Sequence, residues 1–225
     1  MHWLADDAAA DAFPPVAQAL ADPPGLLAAG GDLSPERILA AYERGIFPWY
    51  SEHQPILWWS PDPRMVLYPE EFHCSRSLER TLRSGRFETR LDGAFGETIR
   101  ACAGPRRASL GTWLNPAMIG AYETLHAMGH AHSVETWRDG RLVGGLYGLA
   151  LGQVFFGESM FSRESDASKV AFARLVEECR HRAIGLIDCQ VASAHLERLG
   201  AREIPRDAFL ASLGRLARRT PAIWR

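Results

Sequence analysis

The stretch that decides the fold runs over residues 131–158 and reads AHSVETWRDGRLVGGLYGLALGQVFFGE. Apolar and β-branched residues are concentrated in Ala131–Trp137, Arg141–Gly148 and Gln153–Glu158, which predicts three strands. The Asp139-Gly140 pair between the first two is the dipeptide typical of a two-residue hairpin turn. The sequence therefore predicts an antiparallel hairpin followed by a third strand.

Segments with helical and strand patterns surround this stretch on both sides. The sequence predicts strands at Met65–Tyr68 and Leu186–Gln190, and helices over Ser75–Ser84, Pro116–Met128, Asp166–Arg182, Ala192–Leu199 and Asp207–Leu216. Hairpin, strand, long helix and strand in this order indicate a mixed α/β (α+β) fold. The pattern is compatible with the layered architecture of an acetyltransferase-like (GNAT-like) domain, with helices on the faces of the sheet.

The first sixty residues differ in character because they are dense in proline and glycine turns. One helix is predicted there, with Ser34 as N-cap, Pro35 at the first helical position and an end at Gly45. We therefore expect a small, irregular N-terminal domain over residues 1–62 and a larger domain over 63–225.

The net charge of −2 argues against a uniformly basic protein that coats nucleic acid. The charge is uneven, because residues 1–52 carry eight acids and two arginines, whereas residues 76–107 carry eight arginines and four acids. In the predicted helix after Ser75, three arginines fall on one side and Leu78 and Leu82 on the other. This arginine face consists of Arg76, Arg80, Arg83 and, just beyond the helix, Arg86. It is either a basic patch that binds a partner or an ordinary solvated helix face.

Composition and cysteine spacing narrow the class of protein further. No apolar stretch approaches the roughly 20 residues that span a bilayer, and the start shows no signal-peptide pattern, so we expect a cytoplasmic protein. The four cysteines form no CxxC pair, which favours reduced thiols. Gly129 interrupts the helical spacing of His126 and His130, and no HExxH motif is present, so no metal site is expected.

Two acids stand out because their neighbours are apolar: Glu158 after the third strand, and Asp188 in the strand Leu186–Gln190. A carboxylate at the end of a buried strand usually has a partner or a chemical task. In a regular strand, Gln190 would share a sheet face with Asp188. The pair is either functional or a hydrogen-bonded link between strands.

The turn between the third strand and the long helix is Ser159–Asp166 and contains no glycine. An acetyl-CoA-binding loop, [RQ]xxGx[GA], would need glycines at this place so that its bare backbone could approach a pyrophosphate. No GxxxxGK[ST] motif is present either. The sequence therefore disfavours an acyl-CoA donor.

Taken together, the motifs resemble the leucyl/phenylalanyl-tRNA–protein transferase family. The resemblance covers nearly the whole chain and is carried by residues 25–35 (GLLAAGGDLSP), 42–50 (YERGIFPWY), 58–64 (WWSPDPR), 111–113 (GTW), 129–135 (GHAHSVE), 144–148 (GGLYG), 156–162 (FGESMFS), 187–190 (IDCQ) and 200–206 (GAREIPR).

The resemblance implies an enzyme that moves Leu or Phe, and less readily Met, from aminoacyl-tRNA to a protein with N-terminal Arg or Lys. This modification marks the acceptor for degradation by the bacterial N-degron (N-end rule) pathway. The family combines a small N-terminal domain with a GNAT-like domain and uses no metal or organic cofactor. Nothing in the sequence demands more than a monomer.

The resemblance also implies roles for individual residues. Asp188 with Gln190 would lie at the reacting amine, with Asp188 either a general base or an orienting group, and Glu158 would hold either the amine or the basic side chain of the acceptor. The cleft for the terminal adenosine and the aminoacyl side chain would be formed by Trp49, Trp113, Leu146, Phe155 and Met160, and the acceptor arm of the tRNA would contact Arg76, Arg80, Arg83 and Arg86.

Two other functions stay open at this point. An acetyltransferase-like enzyme that uses acyl-CoA would fit the predicted fold, although the expected loop is missing. A non-catalytic RNA-binding module would fit the arginine face and the tryptophans in the turns.

Overall fold

The computed structural model describes residues 1–104 and 114–219, together with Trp224. Its helices are α1 Pro35–Glu43, α2 Arg76–Arg83, α3 Phe95–Cys102, α4 Pro116–Ala127, α5 Ala167–His181, α6 Ala194–Glu197 and α7 Arg206–Leu216. Its strands are β1 His2–Leu4, β2 Leu26–Gly30, β3 Phe47–Pro48, β4 Leu57–Trp59, β5 Arg64–Leu67, β6 Glu88–Leu91, β7 Ala131–Arg138, β8 Arg141–Leu151, β9 Val154–Ser162, β10 Leu186–Gln190 and β11 Arg202–Ile204.

The large sheet confirms the mixed α/β prediction. Its strand order is β11-β5-β10-β9-β8-β7-β6, with the predicted hairpin β7–β8 turning at Asp139 and Gly140. All neighbouring strands run antiparallel except β9 and β10, which are parallel and joined through α5. The strands β6 and β11 and the helix α3 lie where the sequence pattern predicts no element.

The N-terminal part is more regular than the sequence suggested. Besides the predicted α1, it contains a four-stranded sheet with the order β1-β2-β4-β3. These strands are short, two to five residues each, so hydrophobic alternation could not reveal them. The description of this part as irregular is therefore corrected, whereas the boundary at residue 62 stays a prediction.

Two hydrophobic clusters lie on opposite faces of the large sheet, because successive side chains of a strand point to opposite sides. Phe156 belongs to the cluster shared with α1, α3, α4 and the N-terminal sheet, and Phe155 to the cluster covered by α5. The first cluster therefore runs without interruption from Trp58 of the N-terminal part into the large sheet.

One packing prediction is wrong. Leu78 of α2 is buried against the α5 side, but Leu82 is 43% exposed, because the helix ends one residue later and its last turn extends beyond the core. The Ser75 cap is confirmed, since its hydroxyl accepts a hydrogen bond from the Leu78 amide at 3.3 Å.

None of the described helices is long and apolar enough to cross a membrane. Cys74, Cys102, Cys179 and Cys189 are all free thiols.

Candidate active site

The site forms where the parallel strands β9 and β10 separate. Their last paired residues are Phe156 and Asp188. Immediately afterwards each strand shifts register against its other neighbour, at Glu158 between β9 and β8 and at Cys189 between β10 and β5. Such bulges bend a strand and change the direction of its side chains. As a result the Gln190 amide reaches across the gap and donates a hydrogen bond to Glu158 Oε1 at 2.9 Å.

The Glu158 carboxyl is surrounded by hydroxyl groups. The Tyr42 hydroxyl of α1 lies 2.6 Å from Oε1, and the Tyr122 hydroxyl of α4 lies 3.0 Å from Oε2. Burial raises the pKa of Glu158 to about 7, and the Asp188 charge acts in the same direction, whereas the two tyrosine hydrogen bonds lower it. An acid with this pKa exchanges its proton readily at neutral pH.

Asp188 has a different environment. Its carboxylate is fully buried and accepts two hydrogen bonds from Arg64, from Nε at 2.9 Å and from Nη2 at 2.6 Å. The Gln190 main-chain N–H donates a third bond at 2.9 Å. Arg64 is itself fully buried and also donates to the Gly45 carbonyl at 3.2 Å. Asp188 therefore lies behind Gln190, bound to an arginine, and not at the surface of the cavity.

The expected common face of Asp188 and Gln190 is thus corrected. The bulge at Cys189 and the left-handed φ of 66° at Gln190 break the alternation of the strand. The Gln190 side chain consequently faces Glu158, while its main chain is held by Asp188.

A cavity of about 320 Å³ opens beside Glu158 and Gln190. Most of its wall is apolar, with contributions from the segment after α1, from β8 and β9, and from α5 and α6. The lining residues are Phe47, Pro48, Trp49, Leu146, Tyr147, Gly157, Glu158, Ser159, Met160, Phe172, Leu175, Ile187, Cys189, Gln190, Val191, Ser193, His195 and Leu196. The cavity combines an apolar chamber with one polar corner, as small-molecule sites commonly do.

The structure brings together most of the predicted cleft residues. Trp49, Leu146 and Met160 line the cavity. Phe155 is fully buried in the cluster beneath α5 and does not line it. Trp113 lies outside the described residues.

The four predicted arginines are exposed on and just after α2. Arg83 pairs with Glu79 of the same helix at 3.6 Å. Arg86 donates to Glu164 at 2.7 Å. The helix packs against α5, which also supplies Phe172 and Leu175 to the cavity wall. Helix α5 therefore both packs against α2, which carries the arginine face, and forms part of the cavity wall.

Several residues of the site carry no signal in the sequence. Tyr42 and Tyr122 look like ordinary apolar positions of amphipathic helices, and Arg64 looks like one arginine among many.

The Cys189 thiol lines the cavity, but burial and the neighbouring Asp188 raise its pKa well above the usual range, so it is protonated and a poor nucleophile at neutral pH. Burial, with Lys169 and Arg198 nearby, lowers the pKa of His195.

Two solved structures are distantly similar to this chain. A GCN5-related N-acetyltransferase from Kribbella flavida matches with 12% identity and a TM-score of 0.40, over 73% of this chain and 59% of that one. L-PGS from Bacillus licheniformis matches with 10% identity and a TM-score of 0.42, over 74% and 53%. Scores this low carry no argument about chemistry.

Comparison of sequences is far more specific. Leucyl/phenylalanyl-tRNA–protein transferases from Nitrosospira multiformis and Aromatoleum aromaticum are 59% and 63% identical to this chain, over 95% and 89% of it and over 91% and 85% of their own lengths. The same enzyme from Stutzerimonas stutzeri is 58% identical over 100% of this chain and 99% of its own. The family model for leucyl/phenylalanyl-tRNA protein transferase matches residues 66–214, and the model for its N-terminal domain matches residues 31–62. The chain therefore belongs to the leucyl/phenylalanyl-tRNA–protein transferase family.

Proposed function

We propose that this protein transfers Leu or Phe, and less readily Met, from aminoacyl-tRNA to the N-terminal Arg or Lys of acceptor proteins. The product would enter the bacterial N-degron pathway of protein degradation. We propose further that the enzyme acts in the cytoplasm as a monomer. We propose no metal or organic cofactor; the aminoacyl ester of the tRNA is itself the acyl donor, so no acyl-CoA is needed.

The observation that carries this proposal is the cavity in which an apolar wall meets the Glu158–Gln190 pair. Aminolysis of an ester needs a neutral amine, a place for the proton that the amine loses, and a proton for the departing ribose oxygen. An α-amino group with a pKa of ~8 is roughly 10% neutral at pH 7, whereas a lysine side chain with a pKa of ~10.4 is well under 1% neutral. The N-terminus of an acceptor is therefore the suitable nucleophile.

The apolar wall accounts for the choice of aminoacyl group. Trp49, Leu146 and Met160 lie around a chamber of about 320 Å³, which we expect to accept a side chain that is not branched at Cβ, such as Leu, Phe or Met. In our proposal Trp113 completes the cleft for the terminal adenosine, and Phe155 supports the wall from below. β-branched Ile and Val are expected to be crowded near their Cβ atom.

In the same proposal Asp188 is a positioning residue rather than a group that touches substrate. Its hydrogen bond to the Gln190 main chain holds the strained φ at that position. Arg64 holds the carboxylate in place through two hydrogen bonds. Gln190 is then held at a constant distance from Glu158, ready to orient the incoming amine.

The proposed role of the arginine face is to hold the acceptor arm of the tRNA through its phosphates. Arg76, Arg80, Arg83 and Arg86 are exposed, and phosphate contacts of this kind carry no base specificity. A single patch suffices for a substrate held by one end, so the net charge of −2 is no obstacle.

The direct test is to mix the purified protein with labelled Leu-tRNA and two peptides that differ only in an N-terminal Arg or Ala. Label is expected on the Arg peptide alone. Gln190→Ala should abolish most transfer while leaving tRNA affinity nearly unchanged. Absence of label from both peptides would refute the proposed activity.

A further inference from the structure

The oxygen atoms of Glu158, Tyr42 and Tyr122 form a closed ring. Tyr42 Oη lies 2.6 Å from Glu158 Oε1, Tyr122 Oη lies 3.0 Å from Oε2, and the two tyrosine oxygens lie 2.5 Å from each other. Both tyrosines are fully buried, so no solvent molecule is needed to complete the ring. Each of the three contacts has the length of an O–H···O hydrogen bond.

The number of protons in this ring depends on the state of Glu158. Three contacts require three protons, and the two tyrosine hydroxyls supply only two. With Glu158 ionised, one of the three oxygen–oxygen contacts has no proton, whichever way the hydroxyls point. With Glu158 protonated, every contact is a hydrogen bond. The short distance between Tyr42 and Tyr122 therefore fits the protonated form.

The ionised form also has favourable contacts. Both hydroxyls and the Gln190 amide can then donate to the carboxylate, and hydrogen bonds to a charged acceptor are the stronger kind. The carboxyl therefore has hydrogen-bond partners in both protonation states, although only the protonated form also supplies a proton to the contact between the two tyrosines. This balance agrees with a pKa of Glu158 raised to about 7.

Other titratable groups act on this carboxyl from the surrounding elements. The Asp188 charge raises the pKa of Glu158 and the Arg64 charge lowers it, so this buried pair contributes opposing effects. The remaining ionisable groups that line the cavity with Glu158 are Tyr147 of β8, Cys189 of β10 and His195 of α6. The hydroxyls of Tyr42 in α1 and Tyr122 in α4 can each be removed by substitution without changing a charge.

We propose that Tyr42 and Tyr122 act as positioning residues which let the Glu158 carboxyl exchange one proton with the reacting groups. This inference rests on the proposed transfer reaction. The amine nitrogen attacks the ester carbonyl carbon, and the ionised Glu158 takes one proton from that nitrogen as the C–N bond forms. The C–O bond to the ribose then breaks, and the same proton passes to the ribose oxygen. Glu158 is ionised again at the end, and no proton is consumed.

The first experiment needs no substrate. The full chain is labelled with glutamate carrying ¹³C at the carboxyl carbon, and the signal that disappears in Glu158→Gln is followed by NMR between pH 5 and 9. It should titrate near pH 7. In Tyr42→Phe and Tyr122→Phe the midpoint should move upward by about one pH unit, because a donor to the charged form is removed. Tyr50→Phe removes the hydroxyl of a buried tyrosine that is not part of the ring and should leave the midpoint unchanged.

A midpoint near 4.5 in the wild-type protein, or the same midpoint in both ring variants as in the wild type, would overturn the proposal. Thermal unfolding of each variant shows whether it is folded. Since the two tyrosines belong to different helices, either variant alone suffices for the comparison.

The second experiment follows peptide transfer as a function of pH at saturating substrates. The rise of kcat with pH should move upward in the ring variants by as much as the NMR midpoint does, with KM for the tRNA little changed. If the pH dependence of kcat were the same in the ring variants as in the wild type, the two tyrosines would have no role in the reaction, and the proposal would be refuted. If the NMR titration behaves as expected but the wild-type protein transfers nothing, the proposed function fails while the protonation of the ring stands.

Discussion

At the scale of single residues, the Arg64–Asp188 ion pair links β5 to β10 through two hydrogen bonds. Both side chains are fully buried, and Arg64 also lies over the rings of Phe47 and Phe209 at 4.8 and 4.6 Å. A buried charge that loses its partner costs far more than the intact pair contributes. The pair therefore links the N-terminal part, β5 and β10. Substitution of either residue is expected to destabilise the folded protein.

Asp188→Asn leaves the Arg64 charge without its partner, so we expect a loss of about 3–5 kcal/mol in the free energy of unfolding. Denaturant titration followed by circular dichroism measures it. The control is Glu71→Gln, which breaks the exposed pair Glu71–Arg202 and should cost at most about 1 kcal/mol. Equal losses in the two variants would show that burial of the pair does not matter.

Glu158 makes stability depend on pH in the opposite sense from an ordinary acid. Its folded-state pKa of about 7 lies above the usual value of 4.5, so between these values the folded protein binds the proton more tightly than the unfolded chain does. Its contribution to stability is therefore greatest below pH 4.5 and is lost as the pH rises to 7.

Glu158→Gln removes this dependence. Relative to the wild type, the variant should gain about 2–3 kcal/mol of stability between pH 5 and pH 8. Urea denaturation at the two pH values gives the comparison. A constant difference between variant and wild type would mean that Glu158 does not titrate in this range.

At the scale of elements, the bulge of β9 depends on a close approach between strands. A Cβ atom at Gly148 of β8 would overlap the main-chain oxygen of Phe156 and lie 2.5 Å from the Phe155 ring. Only glycine lets the two strands approach this closely beside the bulge at Glu158.

Gly148→Ala should therefore destabilise the protein by about 1–3 kcal/mol, since overpacking forces main-chain shifts. It should also reduce transfer, because the bulge positions Glu158. Thermal unfolding and the peptide assay provide the measurements. Gly120→Ala in α4 meets no atom within 4 Å and should be neutral or stabilising by about 0.5–1 kcal/mol. Similar effects of the two changes would argue against the packing explanation.

The arginine face of α2 belongs to the same scale, because its effect arises from several residues on one helix. Replacing Arg80 and Arg83 by Gln should reduce the slope of log K against log [salt] for tRNA binding by about 0.7–0.9 for each phosphate that the variant no longer neutralises. The measurement is a salt titration of tRNA affinity, with Arg100→Gln on α3 as the control. An unchanged slope would show that these arginines are solvated surface residues that do not contact the tRNA.

At the scale of the whole molecule, the shared core couples the two sheets. Trp58 of the N-terminal sheet and Phe156 of the large sheet belong to one cluster, and Tyr42 carries a hydrogen bond from α1 to β9. The site is therefore complete only when both parts are folded together.

We accordingly expect the two sheets to unfold in a single transition. Four of the seven tryptophans lie within the first 60 residues, so their fluorescence reports on the N-terminal part, whereas far-UV circular dichroism reports mainly on the large sheet and its helices. The two denaturation curves should coincide. Two separate midpoints would show that the parts fold independently.

The sequence predicted the elements whose local pattern is strong. The hairpin β7–β8, the helices α2, α4 and α5 and the strand β10 lie within a few residues of their expected positions. Weak or short patterns failed, as in the N-terminal sheet, β6 and β11. Among the site residues, Glu158 and Asp188 were predicted from their apolar surroundings, and Gln190 from its spacing to Asp188. The family resemblance indicated the same three residues, but the hydrogen bond between Gln190 and Glu158 was not predicted.

By itself, then, the sequence determined the family, the mixed α/β class and the polar residues available to the site, because these depend on residue types and short-range periodicity. Only the tertiary structure decided which of those residues meet. Tyr42 and Glu158, like Arg64 and Asp188, are more than 100 positions apart, and two bulges reversed the side-chain directions that a regular strand would give. Contacts of this range depend on how the strands separate and how the helices pack, and no local pattern in the chain encodes them.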